Sequence, residues 1–571
     1  MFDALFTTTT EYKKLSHALS GKGACALFGL PASGRAQVYA ALCRQLDKPL
    51  CIVTPGEAEA TRFAADLNTL GIPAAVFPAR DYVLRPIEGT AREYEYRRLA
   101  VLGELVGGRL RAVAVPAEAL TQFTTPKEDF CANTRTLHAG DTLLRDDLLA
   151  ALFGAGYTRR AQVDGPGQFS VRGDIVDIFA PDQKMPVRME FWGDEIDTLQ
   201  NFDLTTQRRE DAIDKFYLSP AREVLFGKPA DAAAQLRAFL AKQRGKKKTA
   251  MADCMAADLD LLDGGAVPVN MDKYLAVRYP HPATVLDYFD DPILVAEEPA
   301  SIREADRATV YRRGEELKSL ILDGVLCAGL DNLYADPSYL WSKTGHYRTI
   351  CAENFARSMP DQPLKDIINA PAHTLPAWNG EVAGLLEDLK PLCDAGYTVT
   401  LLAGTDRAAA GLARDLRDKG ILVTTDAAAA PAAGLVQVLA GHLSAGCEFP
   451  FAKYALLTGR AFGETSSQKK KRKKAKDALN SLTEITPGDL VVHQNHGIGR
   501  YAGIQRMAVQ GVTKDYLRIE YDKKDVLYVP VTQLDLLSRY TAPGDSENVK
   551  LSRLGGAEWT KTRKKVRAAT E

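Results

Sequence analysis

The segment Ala24-Cys-Ala-Leu-Phe-Gly29-Leu-Pro-Ala-Ser-Gly34-Arg35-Ala36 decides the reading of the N-terminal part of this chain. Ala24–Leu30 is short and almost wholly apolar, as expected of a strand buried on both faces. Pro31–Gly34 breaks the run, and a helical pattern follows over Arg35–Leu46. Two glycines at this spacing, between a strand and a helix, are the frame of a phosphate-binding P-loop, G-x-x-x-x-G-K-[ST]. Here Arg35 stands where the lysine belongs and Ala36 where the hydroxyl residue belongs. Losing the hydroxyl removes a Mg²⁺ ligand, and losing the ammonium removes the group that reaches the β and γ phosphates. Arginine is no substitute, because its planar fork is bulkier and differently directed. Gly29, Gly34, Arg35 and Ala36 therefore read as a degenerate nucleotide-binding loop kept as scaffold; a chance glycine-rich turn is the alternative. No other G-K-[ST] occurs, so no ATP or Mg²⁺ cofactor is expected to act in this chain.

Working outward, Leu50–Pro55, Ala74–Phe77 and Ala112–Pro116 are further apolar runs, with a helical pattern over Glu57–Leu70. Strands alternating with helices predict βαβ units and a parallel sheet over 1–121. The pattern changes in 122–208. A helix over Leu143–Ala155 precedes strand signals. Gly167–Phe179 alternates, with Phe169, Val171 and Ile175 expected on one face; Pro186–Trp192 alternates with Val187, Met189 and Phe191 inward. Gly193-Asp194 is a turn signal, and Ile196–Leu204 is the returning strand. Residues 209–347 are helical and mixed, with Gly245–Lys248 expected as an exposed loop. A second, smaller α/β unit covers 355–463: helix Glu381–Lys390 closed by Pro391, strand Thr398–Ala403 and helix Ala408–Lys419. Polar 464–485 carries the run Lys469–Lys474 and reads as a linker. Residues 486–545 hold short strands that suit a small barrel of SH3 or Tudor type. Over 546–571 a basic helix starts at Glu558 and is still running at Glu571, as expected of a truncated chain. The expected fold class is thus multidomain α/β, with a β-rich insertion and a C-terminal small β-barrel.

Composition sets bounds. Of 571 residues, 46% are hydrophobic and 25% charged, ordinary for a globular protein. No apolar run reaches the ~18 residues of a membrane span, and Met1–Lys14 lacks the order of a signal peptide. Nine scattered cysteines form no C-x-x-C pair, which points to reduced thiols in a cytoplasmic protein. The net charge of −1 leaves room only for local nucleic-acid contact.

Several clusters invite chemistry. His493 and His496 are three apart, but no cysteine lies nearby and the local carboxylates read as turn residues, so hydrogen-bonded histidines are expected and no metal. Asp174 and Asp177 differ by an odd number and on one strand would face opposite ways; with Asp194 and Asp197 they suit turns and salt bridges. Lys469–Lys474 lacks interleaved aromatics, leaving a solvated linker or weak nonspecific phosphate contact.

The motifs of the insertion resemble the domain with which UvrB binds UvrA. They are Tyr157-Thr-Arg159, then Gly167-Gln-Phe-Ser-Val-Arg172-Gly-Asp-Ile-Val-Asp177-Ile-Phe179, then Arg188-Met-Glu-Phe-Trp-Gly-Asp194-Glu-Ile-Asp197. The C-terminal motifs Pro487-Gly-Asp-Leu-Val-Val-His493-Gln-Asn-His496-Gly-Ile-Gly499-Arg-Tyr501-Ala-Gly503, Asp515–Tyr521, Leu527–Val531 and Leu554–Trp559 are similar to the polymerase-interacting domain of bacterial transcription-repair coupling factors. UvrB has no such domain, so the chain is identified as a member of the coupling-factor family without its translocase motor. The resemblance implies an adaptor with two partners, UvrA and the β subunit of RNA polymerase, with DNA engaged mainly by the missing motor and no membrane. It implies UvrA contacts at Arg159 and Arg172, with Arg160 adjoining, and Phe179 either an exposed anchor or core. A third arginine of the UvrB set falls at Ser170. It implies polymerase contacts on Ile504, Gln505, Arg506 and Met507. The alternatives are a UvrB-like damage-binding helicase, against which Arg35 and Ala36 argue, and a transcription regulator using the small barrel alone.

Overall fold

The computed structural model describes residues 7–86, 92–355, 363–378, 380–430, 432–459, 487–493, 496–509, 512–522, 525–530, 537–539 and 551–553. The linker 464–485, with Lys469–Lys474, and the helix expected from Glu558 lie outside the described residues.

Seven parallel strands form the first sheet: β1 (Gly23–Phe28), β2 (Leu50–Thr54), β3 (Ala74–Val76), β4 (Ala112–Pro116), β13 (Ile293–Glu297), β14 (Arg348–Glu353) and β15 (Leu364–Asn369). Their order is β15-β1-β14-β13-β2-β4-β3. The central strands β2 and β13 are buried at every position, which is why they read as continuous apolar runs. Everything from β4 to β13 is therefore an insertion in one α/β unit. Leu364–Asn369, read from sequence with the second α/β unit, instead pairs with β1 at the sheet's edge, where Ile368 is buried and Ile367 exposed.

Inside the insertion, β6 (Thr158–Arg159), β7 (Gln168–Arg172), β8 (Ile175–Phe179), β9 (Val187–Trp192), β10 (Glu195–Phe202) and β11 (Arg209–Ala212) form a six-stranded sheet in reverse chain order. All pairs are antiparallel except β6 with β7. Phe169, Val176, Ile178, Met189 and Phe191 pack on Leu148 and Leu152 of the helix Arg145–Gly154. Gly167–Phe179 is a hairpin and not one strand: Gly173 sits at φ +61, and the turn reverses the chain. Val176 consequently joins Phe169 and Val171 on the core face, while Ile175 pairs with Arg172 on the other. Two strands, β5 (Arg135–His138) and β12 (Lys215–Leu218), close the neck of the insertion. The lysines of Gly245–Lys248 open the helix Gly245–Asp263; exposed, they leave the helix anchored by Met251, Met255 and Leu262 further on.

A buried ion-pair network ties this insertion to the helix Glu93–Val106. Arg98 Nε donates to Glu223 at 2.6 Å, Arg80 Nε lies 3.3 Å from the same carboxylate, and Arg80 Nη1 donates to Asp272 at 2.7 Å. Glu95 accepts the Glu223 backbone N–H at 3.0 Å.

The third sheet is mixed, in the order β16-β20-β21-β17-β19-β18. Its strands are β16 (His373–Leu375), β17 (Thr398–Leu402), β18 (Val423–Thr424), β19 (Val436–Leu439), β20 (Gly446–Phe449) and β21 (Tyr454–Thr458). Its helix Val382–Asp394 runs through Pro391, because Leu389 and Leu392 on either side pack into the sheet's core. That burial offsets the hydrogen bond which proline forgoes.

The C-terminal unit is an antiparallel sheet of β22 (Leu490–His493), β23 (Gly497–Val509), β24 (Val512–Glu520), β25 (Val526–Pro530) and β26 (Leu537–Arg539), in the order β25-β24-β23-β22-β26. It has its own core of Val491, Tyr501, Leu517, Ile519, Tyr521, Leu527, Val529 and Leu537. Among the described residues no helix is long and apolar enough to cross a membrane.

Candidate partner-binding surfaces

The loop between β1 and the helix Ala32–Leu46 is closed by the protein itself. Gly29 adopts φ +87, and a Cβ there would lie 3.0 Å from Asn369 Oδ1 and 3.1 Å from Ala370 O. At Gly34 a Cβ would lie 2.9 Å from Cys447 Sγ in β20. Arg35 is 3% exposed. Its Nη2 lies 2.9 Å from both Glu297 and Glu298 at the end of β13, and its Nη1 donates to Leu30 O at 3.0 Å. Tyr39 donates its hydroxyl to Glu297 as well. Arg35 thus binds carboxylates of its own chain, and Ala36 is fully buried behind it.

The insertion sheet has one face on its core and one largely polar. At the centre of the polar face is Asp177, 1% exposed. It accepts from Arg188 Nε at 2.7 Å, from Arg188 Nη2 at 3.0 Å and from Arg172 Nη2 at 2.6 Å. Arg188 is itself buried over the Phe202 ring. Its hydrogen bonds to Asp177, set against burial, raise its pKa further. Arg172 differs: its side chain is 46% exposed, so part of its fork remains available. The next row across the sheet is Arg172, Ile175, Glu190 and Thr198 by register, with Arg209 ion-paired to Glu190.

Arg159 and Arg160 are exposed at the β6 edge. The parallel register sets Arg159 opposite Phe169, on the core side of the sheet, whereas Arg172 lies on the polar side. The two arginines therefore do not share one face. Of the two alternatives for Phe179 the structure has the buried one: at 7% exposure it packs with Val163, Phe202 and Leu204. Ser170 is buried too, at 1% exposure. The residue that sequence reading passed over is Trp192, 83% exposed at the end of β9. Its signal was present: alternation puts Val187, Met189 and Phe191 inward, so position 192 faces out beside Glu190.

In the C-terminal sheet a bulge decides the register. Tyr501 pairs with Ile519 but Ile504 pairs with Leu517, so β23 carries one extra residue, at Ala502–Gly503. Gly503 supplies the required φ of +106. Position 504 is thereby opposite buried Leu517, and Gln505, opposite Tyr516, is exposed. The backbone of Ile504, Arg506 and Met507 belongs to β23, while their side chains lie outside the described residues.

Comparison with known proteins matches these two units separately. Residues 136–224 match the family model of the UvrB interaction domain, and residues 485–541 match that of the CarD-like/TRCF RID domain. The chain thus falls in the class of proteins that join a UvrB interaction domain to a CarD-like/TRCF RID domain. Within that class it is similar to the transcription-repair-coupling factors. Over 95% of its length it is 28% identical to the transcription-repair-coupling factor of Bacillus subtilis (strain 168) and 28% identical to that of Staphylococcus haemolyticus (strain JCSC1435). The counterpart of Staphylococcus aureus (strain MRSA252) is 26% identical over the same share. In each case the match covers 47% of the relative, so the chain spans about half the length of these proteins.

Proposed function

We propose that this chain is the adaptor part of a transcription-coupled excision-repair factor, binding UvrA through the insertion sheet and the β subunit of RNA polymerase through the C-terminal sheet. The observation that carries the reading is the presence, in one chain, of two sheets with separate cores, each presenting exposed polar strand positions: Arg172 on one and Gln505 on the other. Two sites on one chain raise the local concentration of one partner around the other without any new contact. On the insertion, Arg172 is the primary UvrA contact, with Arg159 and Arg160 at the sheet edge reached separately. On the C-terminal sheet, the bulge favours positions 505 and 507 for polymerase, since they alternate away from the core side held by Leu517.

The chain itself is proposed to hydrolyse no ATP. Arg35 is engaged by Glu297 and Glu298, and Gly34 is packed on Cys447, which weighs against the UvrB-like helicase reading. Contact with DNA would be weak and nonspecific here, and the location cytoplasmic. The test is quantitative binding of UvrA and of the isolated polymerase β subunit to one preparation. Saturable binding of both, each surviving saturation by the other, supports the adaptor; failure to bind UvrA removes it in favour of a regulator acting through the C-terminal sheet.

A further inference from the structure

The C-terminal sheet brings two histidines to a carboxylate four hundred residues away in the chain. His493 ends β22 and is fully buried; His496 stands in the turn before β23 and is part-exposed; Glu93 opens the helix Glu93–Val106 of the first α/β unit. His496 Nε2 lies 3.2 Å from Glu93 Oε1, and the two imidazole rings are 4.7 Å apart. One ligand atom from each of the three side chains can be chosen so that all lie within 4.8 Å of one another. Sequence reading set a metal aside because no further ligand was visible near the histidines; the fold supplies one from another unit.

We propose that Glu93, His493 and His496 form a divalent transition-metal site, of the zinc class, that pins the C-terminal sheet to the α/β unit. Two imidazoles and one carboxylate are a three-ligand set that tetrahedral zinc accepts, with the fourth position left to water. Bonds of about 2.0–2.1 Å put tetrahedral ligand atoms about 3.3 Å apart, so the Glu93–His496 edge already has the right length and the remaining edges close by side-chain shifts of about 1.5 Å or less. A second observation points to the same place. Tyr521 is 2% exposed and its hydroxyl has no hydrogen-bond partner among the described residues. Its ring lies against Gly499, three residues after His496, where a Cβ would stand 3.1 Å from Tyr521 Cζ. A metal-bound water would give this buried hydroxyl the partner it lacks among the described residues. The set contains no thiolate and only one carboxylate, which favours zinc, cobalt or nickel over calcium or magnesium.

The probe is Co²⁺ titrated into the metal-free full chain, followed by Zn²⁺ competition. The expected result is one saturating equivalent with the intense visible bands of tetrahedral cobalt, no thiolate charge-transfer band, and displacement by Zn²⁺. His493 is buried in the sheet, so its substitution confounds binding with folding. The test variants are therefore His496→Ala and Glu93→Gln, checked for an unchanged melting curve in the absence of metal. Each should weaken Co²⁺ binding by ~100-fold or more, since even second-shell losses reach that range. The proposal is overturned if the parent chain shows no saturable tetrahedral Co²⁺ signal, if the signal carries a thiolate band, which would place the metal on a cysteine, or if both variants bind as the parent does.

Discussion

Arg172→Ala separates contact from scaffold on the insertion sheet. Among the described residues Arg172 gives one hydrogen bond, Nη2 to Asp177 at 2.6 Å, and nearly half of its side chain faces solvent. Asp177 keeps two bonds from Arg188 when Arg172 is removed, so no buried charge is stranded. An exposed partner of this kind contributes at most ~1 kcal/mol to stability. The thermal midpoint should therefore move by only a few degrees. Binding should respond more strongly. An arginine that becomes desolvated on a partner's carboxylate typically contributes ~2 kcal/mol or more, which is about 30-fold in Kd. Arg188→Ala is the contrast: Arg188 is buried, and its loss leaves Asp177 at 1% exposure without its bidentate partner, a change that costs about 3–5 kcal/mol of stability. The assay is UvrA affinity by fluorescence anisotropy alongside a urea melt, on both variants and the parent. A folded Arg172→Ala protein with parental affinity refutes the assignment of Arg172 to the interface. A large loss of stability in that variant refutes the accounting that makes it a surface group.

Three further outcomes are expected. Met507→Arg should abolish binding to the polymerase β subunit and leave UvrA affinity unchanged, read on one preparation; intact polymerase binding would move the contact to another strand. Arg35→Ala should not alter ATP turnover, which is expected to be at background in both proteins, but should lower stability by about 3–5 kcal/mol by stranding Glu297; turnover that vanishes in the variant would mean a working site. Burial pushes the Glu95 carboxyl up, but Arg80, Arg92 and Arg222 outweigh it and bring the pKa down to about 2. With the folded value below the unfolded one, the stabilisation is complete above about pH 4.5 and disappears as pH falls toward 2, amounting to about 3 kcal/mol. Urea midpoints across that range should fall more steeply for the parent than for Glu95→Gln; parallel curves would contradict it.

The chain by itself determined its elements wherever burial was two-sided or alternation was clean. The apolar runs of β1, β2 and β4 needed no partner to be recognised, and the motif over 157–197 carried the interaction-domain resemblance without any coordinates. Periodicity even contained Trp192, had the outward position been counted. What it could not contain was parity across a turn or bulge. Gly173 moved Ile175 to the face opposite Phe169, and the extra residue at Ala502–Gly503 set position 504 against Leu517. One residue of register flips every side chain that follows, and turn geometry alone fixes it. Nor could sequence place partners from distant segments. Arg35 reads as a lost lysine, yet only the fold shows Glu297 and Glu298 holding it. His493 and His496 read as an isolated pair until the packing of the C-terminal sheet brings Glu93 beside them. Local pattern reflects each residue's own exposure, whereas charge pairing and ligand sets depend on which surfaces meet, and that is decided only when the units pack.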